Sequence, residues 1–242
     1  MPLKIVERPS PNHDPRAEAP VDILVLHYTG MRTAEEALER LCDPEAKVSA
    51  HYTVDCNGTV YAHVAEARRA RHAGVSYWAG VRDVNSRSIG IEIVNPGHEF
   101  GYIPFTGEQI AAVIALSRGI LSRHPISPAR VVGHSDVAPN RKQDPGELFP
   151  WPQLAEAGIG CWPFQDGRRR AENSGGEDFA ALLQRYGYGV PPEVNWPLPD
   201  VIAAFQRRFR PGKIDGVADA ECMRLMQALL DINARAGDGT DR

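Results

Sequence analysis

Val21-Asp-Ile-Leu-Val-Leu26-His27-Tyr28 is the stretch on which the fold turns. Its apolar run, rich in β-branched residues, is the pattern of a strand buried on both faces, as in sheets covered by helices. It ends on an imidazole, His27. A single histidine closing a strand is ordinarily a hydrogen-bonded structural residue. Its surroundings must decide whether it is more.

Outward from this strand the elements alternate. Thr33-Ala-Glu-Glu36 is a capping box that opens a helix through about Leu41. His51 to His63 reads as two strands joined at Asn57-Gly58, a strong hairpin signal. Ser88-Ile-Gly-Ile-Glu92-Ile-Val94 is another strand, with Ile89, Ile91 and Ile93 on one face and Gly90 and Glu92 on the other. Thr106-Gly-Glu-Gln109 is a second capping box, followed by a helical stripe of Ile110, Val113, Ile114, Ser117 and Leu121. Arg130-Val-Val-Gly133 is a short strand delivering His134. Residues 21–164 are therefore expected to form an α/β domain, a single mixed β-sheet flanked by helices. Residues 1–20, with five prolines, read as an extended arm over its surface. The polar, glycine-containing stretch 165–176 reads as a linker. Residues 177–242 carry helical patterns at 179–186, 198–208 and 218–232, a small C-terminal three-helix domain expected to fold independently.

Composition excludes several classes. With 27 Lys+Arg against 31 Asp+Glu among 242 residues, no broad cationic surface for nucleic acid is implied. No apolar run approaches the ~20 residues of a membrane span. Cys42, Cys56, Cys161 and Cys222 are widely separated, which fits free thiols better than a disulfide framework.

The chemistry-bearing stretch is His134-Ser-Asp-Val-Ala-Pro-Asn-Arg-Lys142-Gln-Asp144-Pro-Gly146, a loop too rich in Pro and Gly to be helical. His27, His134 and Asp144 together make two imidazoles and a carboxylate, a usual catalytic zinc set with a fourth position left for water. His27, Glu92 and His134 all lie at or near the C-terminal ends of separate expected strands, where α/β sheets place their ligand sites. Glu92, amid Ile, Gly and Val, is costly unless it is paired or used. Its structural alternative is a salt bridge to Arg82 or Arg87, and that of Lys142 and Asp144 is a local ion pair in a solvated loop. Asp136 is read as a turn residue or cap. His51 and His72 are placed near the cleft and not as ligands. No Gly-x-Ser-x-Gly nucleophile is present and no cysteine has a thiolate-stabilising setting, so water activated by metal is left as the nucleophile.

These pieces resemble the type-2 family of N-acetylmuramoyl-L-alanine amidases, which also holds peptidoglycan recognition proteins and phage-type lysozymes. The matching residues are Leu26-His27-Tyr-Thr, Val48-Ser-Ala-His51-Tyr, Arg71-His-Ala-Gly-Val-Ser76, Ser88-Ile-Gly-Ile-Glu92, and Val132-Gly-His134-Ser-Asp-Val-Ala-Pro139 continuing to Lys142-x-Asp144-Pro-Gly146. The resemblance implies zinc on His27, His134 and Asp144, with Glu92 and Lys142 as catalytic groups acting on the lactyl–L-alanine amide of peptidoglycan or muropeptides. Phage-type members carry a catalytic tyrosine where Ala50 stands, and a cysteine in place of Asp144. Both departures point to the bacterial recycling and lipoprotein-type branch, with Glu92 as the base. Arg71 stands where the family often has Trp. Gly187-Tyr-Gly189, the run from Val201 to Phe209, and Ile214-Asp215-Gly216 resemble the three-helix peptidoglycan-binding domain; a plain helical cap is the alternative.

Two rival functions are a peptidoglycan recognition protein without catalysis and a zinc peptidase cutting within the stem peptide. The complete ligand set weighs against the first, and the absence of His-Glu-x-x-His against the second. Free cysteines and the lack of an apolar leader point to the cytoplasm, whereas a polymer-binding tail suits the cell envelope.

Overall fold

The stretch from Val21 does form the buried strand on which the rest is built. The computed structural model describes residues 3–16, 18–164 and 178–238. Its strands are β1 (Ile5–Glu7), β2 (His13–Pro15), β3 (Ile23–Tyr28), β4 (Tyr52–Val54), β5 (Val60–Ala62), β6 (Arg68–Ala70), β7 (Ser88–Ile93) and β8 (Val131–Gly133). The helices are α1 (Ala34–Cys42), α2 (Val84–Arg87), α3 (Gly97–Phe100), α4 (Gly107–Arg123), α5 (His134–Val137), α6 (Trp151–Glu156), α7 (Phe179–Tyr186), α8 (Leu198–Phe209) and α9 (Ala220–Asp238). The main sheet has the order β1-β5-β4-β7-β3-β8. The run β4-β7-β3-β8, which ends at the β8 edge, is parallel, while β4 and β5 form the antiparallel hairpin at Asn57-Gly58, where Gly58 takes a φ of 79°. This is the mixed sheet expected. Thr33 and Thr106 cap α1 and α4, accepting from the amides of Glu36 and Gln109, contacts typically worth about 1 kcal/mol each.

Period-two alternation sorts β3 between two cores. Leu24 and Leu26 face a layer with Ile89, Ile91 and Ile93, closed by α4 through Ile110, Val113, Leu116 and Ile120. Ile23 and Val25 face the opposite layer, and His27 follows them in alternation onto that side.

Two segments do more than the sequence reading described. The arm is more than a surface drape: β1 adds to the sheet edge in parallel with β5, and β2 pairs antiparallel with β6. The helical tail is not a satellite either. Phe179, Leu183, Tyr188, Phe205, Met226 and Leu229 lie in one continuous apolar cluster with Ile23, Val25, Trp78, Val132 and Val137 of the sheet side. The tail thus supplies the second layer that a two-sided sheet requires. The expected linker at 165–176 lies outside the described residues.

Candidate active site

The ladder fixes the site before any loop does. His27 on β3 is the register partner of Glu92 on β7, and Leu26 is opposite Gly133 on β8, so His134 emerges one residue beyond. The loop after α5 then turns back, with the Ser135 amide donating to the Asp144 carbonyl at 2.8 Å, which brings the Asp144 carboxylate to the two imidazoles. His27 Nδ1, His134 Nδ1 and Asp144 Oδ2 stand 2.9, 3.1 and 3.0 Å from one another. All three residues are buried.

The hydrogen bonds behind these atoms settle which of them carry protons. Ser88 Oγ donates to the Val84 carbonyl at 2.7 Å and therefore accepts from His72 Nε2 at 3.1 Å. His72, whose pKa burial and the neighbouring histidines push well below the usual value, then presents a lone pair at Nδ1. That atom lies 3.0 Å from His27 Nε2, which must donate to it. Burial, and then the proximity of His134, lower the His27 pKa to about 4, so its Nδ1 is also a lone pair at neutral pH. His134 Nε2 faces the Ala73 carbonyl at 3.1 Å, a group that only accepts, so Nε2 carries the ring N–H and Nδ1 is the atom turned to His27 and Asp144. Asp144 stays below the ordinary carboxylate range despite its burial, so its Oδ2 faces the two rings as an acceptor.

Three acceptors thus converge with no donor between them. That arrangement repels itself unless a cation sits among them. Ligands about 2.0–2.1 Å from a common tetrahedral ion stand roughly 3.3 Å apart, close to the observed triangle. The residues present therefore fit a metal ion.

Glu92 lines the same cleft, whose walls include Met31, Arg40, Val48, Arg71 and Lys142. Its Oε2 is buried without a hydrogen-bond partner. Burial, and then the Asp144 charge, hold its carboxyl well above the usual range, with Lys142 opposing. The salt-bridge alternative for Glu92 fails, because Arg87 pairs with Asp22 and Arg82 donates to the Glu193 carbonyl. Asp144 is likewise turned to the histidines instead of forming a solvated pair with Lys142.

Sequence reasoning left two residues short of their roles. His72 is the second member of the relay that orients His27, and its ring lies so close to β7 that a Cβ on Gly90 would come within 2.5 Å of it. The Gly90 in the β7 pattern was the available signal. Asp136 does cap its turn, accepting from the Gly133 amide at 2.8 Å, but it also holds a buried ion pair with Arg208 of the tail. His51 contributes to scaffolding, accepting at Nδ1 from the Gly90 amide.

A ligand triangle for a cation beside a strand-borne buried carboxyl and a lysine on the neighbouring loop are features of metal-assisted hydrolases. Residues 17–147 match the family described as N-acetylmuramoyl-L-alanine amidase, and the chain belongs to that family. It is similar to the N-acetylmuramoyl-L-alanine amidase AmiD of Escherichia coli K12, with 39% identity over 94% of this chain and 90% of the relative. The 1,6-anhydro-N-acetylmuramyl-L-alanine amidase AmpD of Enterobacter cloacae is 34% identical over 59% of this chain and 84% of its own. Among solved structures, E. coli AmiD in complex with the substrate anhydro-N-acetylmuramic acid-L-Ala-D-gamma-Glu-L-Lys aligns with a TM-score of 0.75 and 40% identity, covering 90% of this chain and 92% of that one. AmpDH3 of Pseudomonas aeruginosa in complex with anhydromuramic pentapeptide aligns with a TM-score of 0.78 and 34% identity, covering 90% and 94%. No helix among the described residues is long and apolar enough to cross a membrane, and all four cysteines are free.

Proposed function

We propose that this chain is a zinc-dependent amidase that hydrolyses the bond between the lactyl group of N-acetylmuramic acid and L-alanine, in peptidoglycan or in the anhydro-muropeptides named in its relatives' complexes. The observation that carries this reading is the convergence of three proton-free acceptors beside the unpartnered carboxyl of Glu92. His27, His134 and Asp144 are the ligands. Zinc held there supplies Lewis-acid polarisation of the amide carbonyl and lowers the pKa of a water toward ~7.

The protein's own groups do the rest. Glu92 is the general base: it takes the attacking water's proton and returns it to the alanine nitrogen as the C–N bond breaks. A divalent charge nearby opposes the burial that raises its pKa and favours the ionised form needed for the first step. Lys142 directs its ammonium at the oxygen of the tetrahedral adduct, where loss of one such electrostatic donor typically costs about 10²–10³ in turnover. His72 and the Ala73 carbonyl hold the two imidazoles in the ligating tautomer. Residues 21–164 carry these groups, and the described part of the tail, residues 178–238, braces the sheet. The tail's resemblance to a peptidoglycan-binding domain adds a contact with the polymer.

Removal of metal with a chelator should abolish hydrolysis of an anhydro-muropeptide, and zinc should restore it. His27→Ala should lose both bound zinc and turnover. Full activity in a demonstrably metal-free preparation would end this reading.

A further inference from the structure

The deepest charge in the tail points at the strand that carries His134. Arg208, on α8, is 2% exposed, and Asp136, two residues after His134, is fully buried. Arg208 Nη1 donates to Asp136 Oδ2 at 2.7 Å, and Nη2 donates to the Val131 carbonyl at 2.8 Å. The same Asp136 Oδ2 accepts from the Gly133 amide at 2.8 Å, and Oδ1 accepts from the Tyr188 hydroxyl at 2.7 Å. The guanidinium carbon lies 4.2 Å from the centre of the Trp151 ring and 4.7 Å from that of Phe209. One side chain therefore holds both ends of β8: Val131 directly at its start, and Gly133 through Asp136 at its end.

A brace for the tail alone needs no such aim. Burying an ion pair is costly, and apolar packing serves stability as well or better, so retained buried pairs are best explained where they specify a geometry. The fixed fork of an arginine suits two acceptors in a set arrangement, which a lysine does not match. We propose that Arg208 is a positioning residue for the metal site: acting through Asp136, it sets the turn from which His134 reaches its partners, so that the helical tail is part of the catalytic apparatus. This rests on His134 being a ligand. Sites of this kind lose function when their supports slacken by an ångström or less.

The test uses the full chain carrying Asp136→Asn and Arg208→Met together, which removes both charges and leaves none stranded. Zinc affinity of the stripped protein is measured by competition with a chelating dye, and kcat and KM are measured at saturating zinc. Affinity is expected to fall about tenfold, in the range typical for lost outer-shell support, with kcat lowered and KM nearly unchanged. Phe205→Leu, which loosens the tail core and removes none of the hydrogen bonds of Arg208 or Asp136, is expected to lower the melting temperature while keeping wild-type zinc affinity. Should the double variant not fold, Tyr188→Phe removes one bond to Asp136 at constant shape and is expected to weaken zinc binding several-fold. Wild-type affinity and kcat in the folded double variant, or in Tyr188→Phe where that stands in for it, would overturn the proposal. So would an equal loss of affinity in Phe205→Leu. His134→Ala separates this from the underlying reading: undiminished zinc binding there would refute the ligand set itself, whereas its loss leaves the Arg208 result to be judged alone.

Discussion

His27 and Glu92 face each other across adjacent parallel strands, as direct register partners of β3 and β7. Neighbouring strands lie ~4.8 Å apart, so a proposed metal ligand and the proposed base are spaced by the sheet's own hydrogen-bond ladder. Neither depends on loop closure for its place. Gly90 and Ser88 share the Glu92 face and leave room there for His72, which in turn orients His27.

Glu92→Gln preserves shape and removes the proton acceptor. Zinc content by elemental analysis should match the wild type while kcat falls by about 10²–10⁴, the usual contribution of a general base. Zinc loss equal to that of His27→Ala would make Glu92 a ligand instead.

His72→Phe keeps a ring against Gly90 but cannot accept the His27 Nε2 proton. Affinity of the stripped protein for zinc should drop about 10–100-fold. Ser88→Ala, one step further along the relay, should have a smaller effect in the same direction. Competition with a chelating dye reads both, and unchanged affinity in His72→Phe would remove His72 from the metal's support.

A chain ending after Gly167 uncovers Ile23, Val25, Trp78, Val132 and Val137, all of which share a core with the tail. Burial of such side chains is worth roughly 1.5–3 kcal/mol each, which together rivals the 5–15 kcal/mol stability of a typical domain. The truncated protein should bind a hydrophobic dye and lose its near-UV circular dichroism. A well-ordered, fully active fragment would restore the independent two-domain reading.

Glu66 joins the β-hairpin side to the end of α4, accepting from Tyr52, Arg123 and His124 at 2.7–2.8 Å. Burial alone raises its pKa, but these donors outweigh it and hold the carboxyl at about 2, below the ordinary 4.5. The unfolded chain therefore binds the extra proton between these values. The stabilisation is complete above about pH 4.5 and is lost as pH falls toward 2. Glu66→Gln should cost roughly 1–3 kcal/mol at pH 7, allowing for screening at the half-exposed Arg123. Urea midpoints should then vary less between pH 5 and pH 3 than in the wild type. Parallel profiles for the two proteins would contradict this.

What was legible in the sequence was local. β3 and β7 announce themselves through apolar runs, α1 and α4 through threonine caps, and the hairpin through Asn57-Gly58, because each signal lies within a few residues of its effect. β1 and β2 were hidden, since three-residue strands in a proline-rich arm owe their conformation to β5 and β6 and not to their own composition. The tail's helices were visible at 179–186, 198–208 and 218–232, but their burial against the sheet was not. Asp136 and Arg208 are 72 residues apart, and no periodicity links them. The His72 relay spans three segments and becomes apparent only when the donors and acceptors are assigned in space.

The most direct measurement is the identity of the products. Anhydro-N-acetylmuramyl tripeptide, incubated with the zinc-loaded protein and with a chelator-treated control, is resolved by mass spectrometry. The expected result is a free peptide beginning with L-alanine and a peptide-free anhydro-sugar, formed only when metal is present. A peptide shortened within the stem, or the same two products at equal rate without metal, would contradict a zinc amidase.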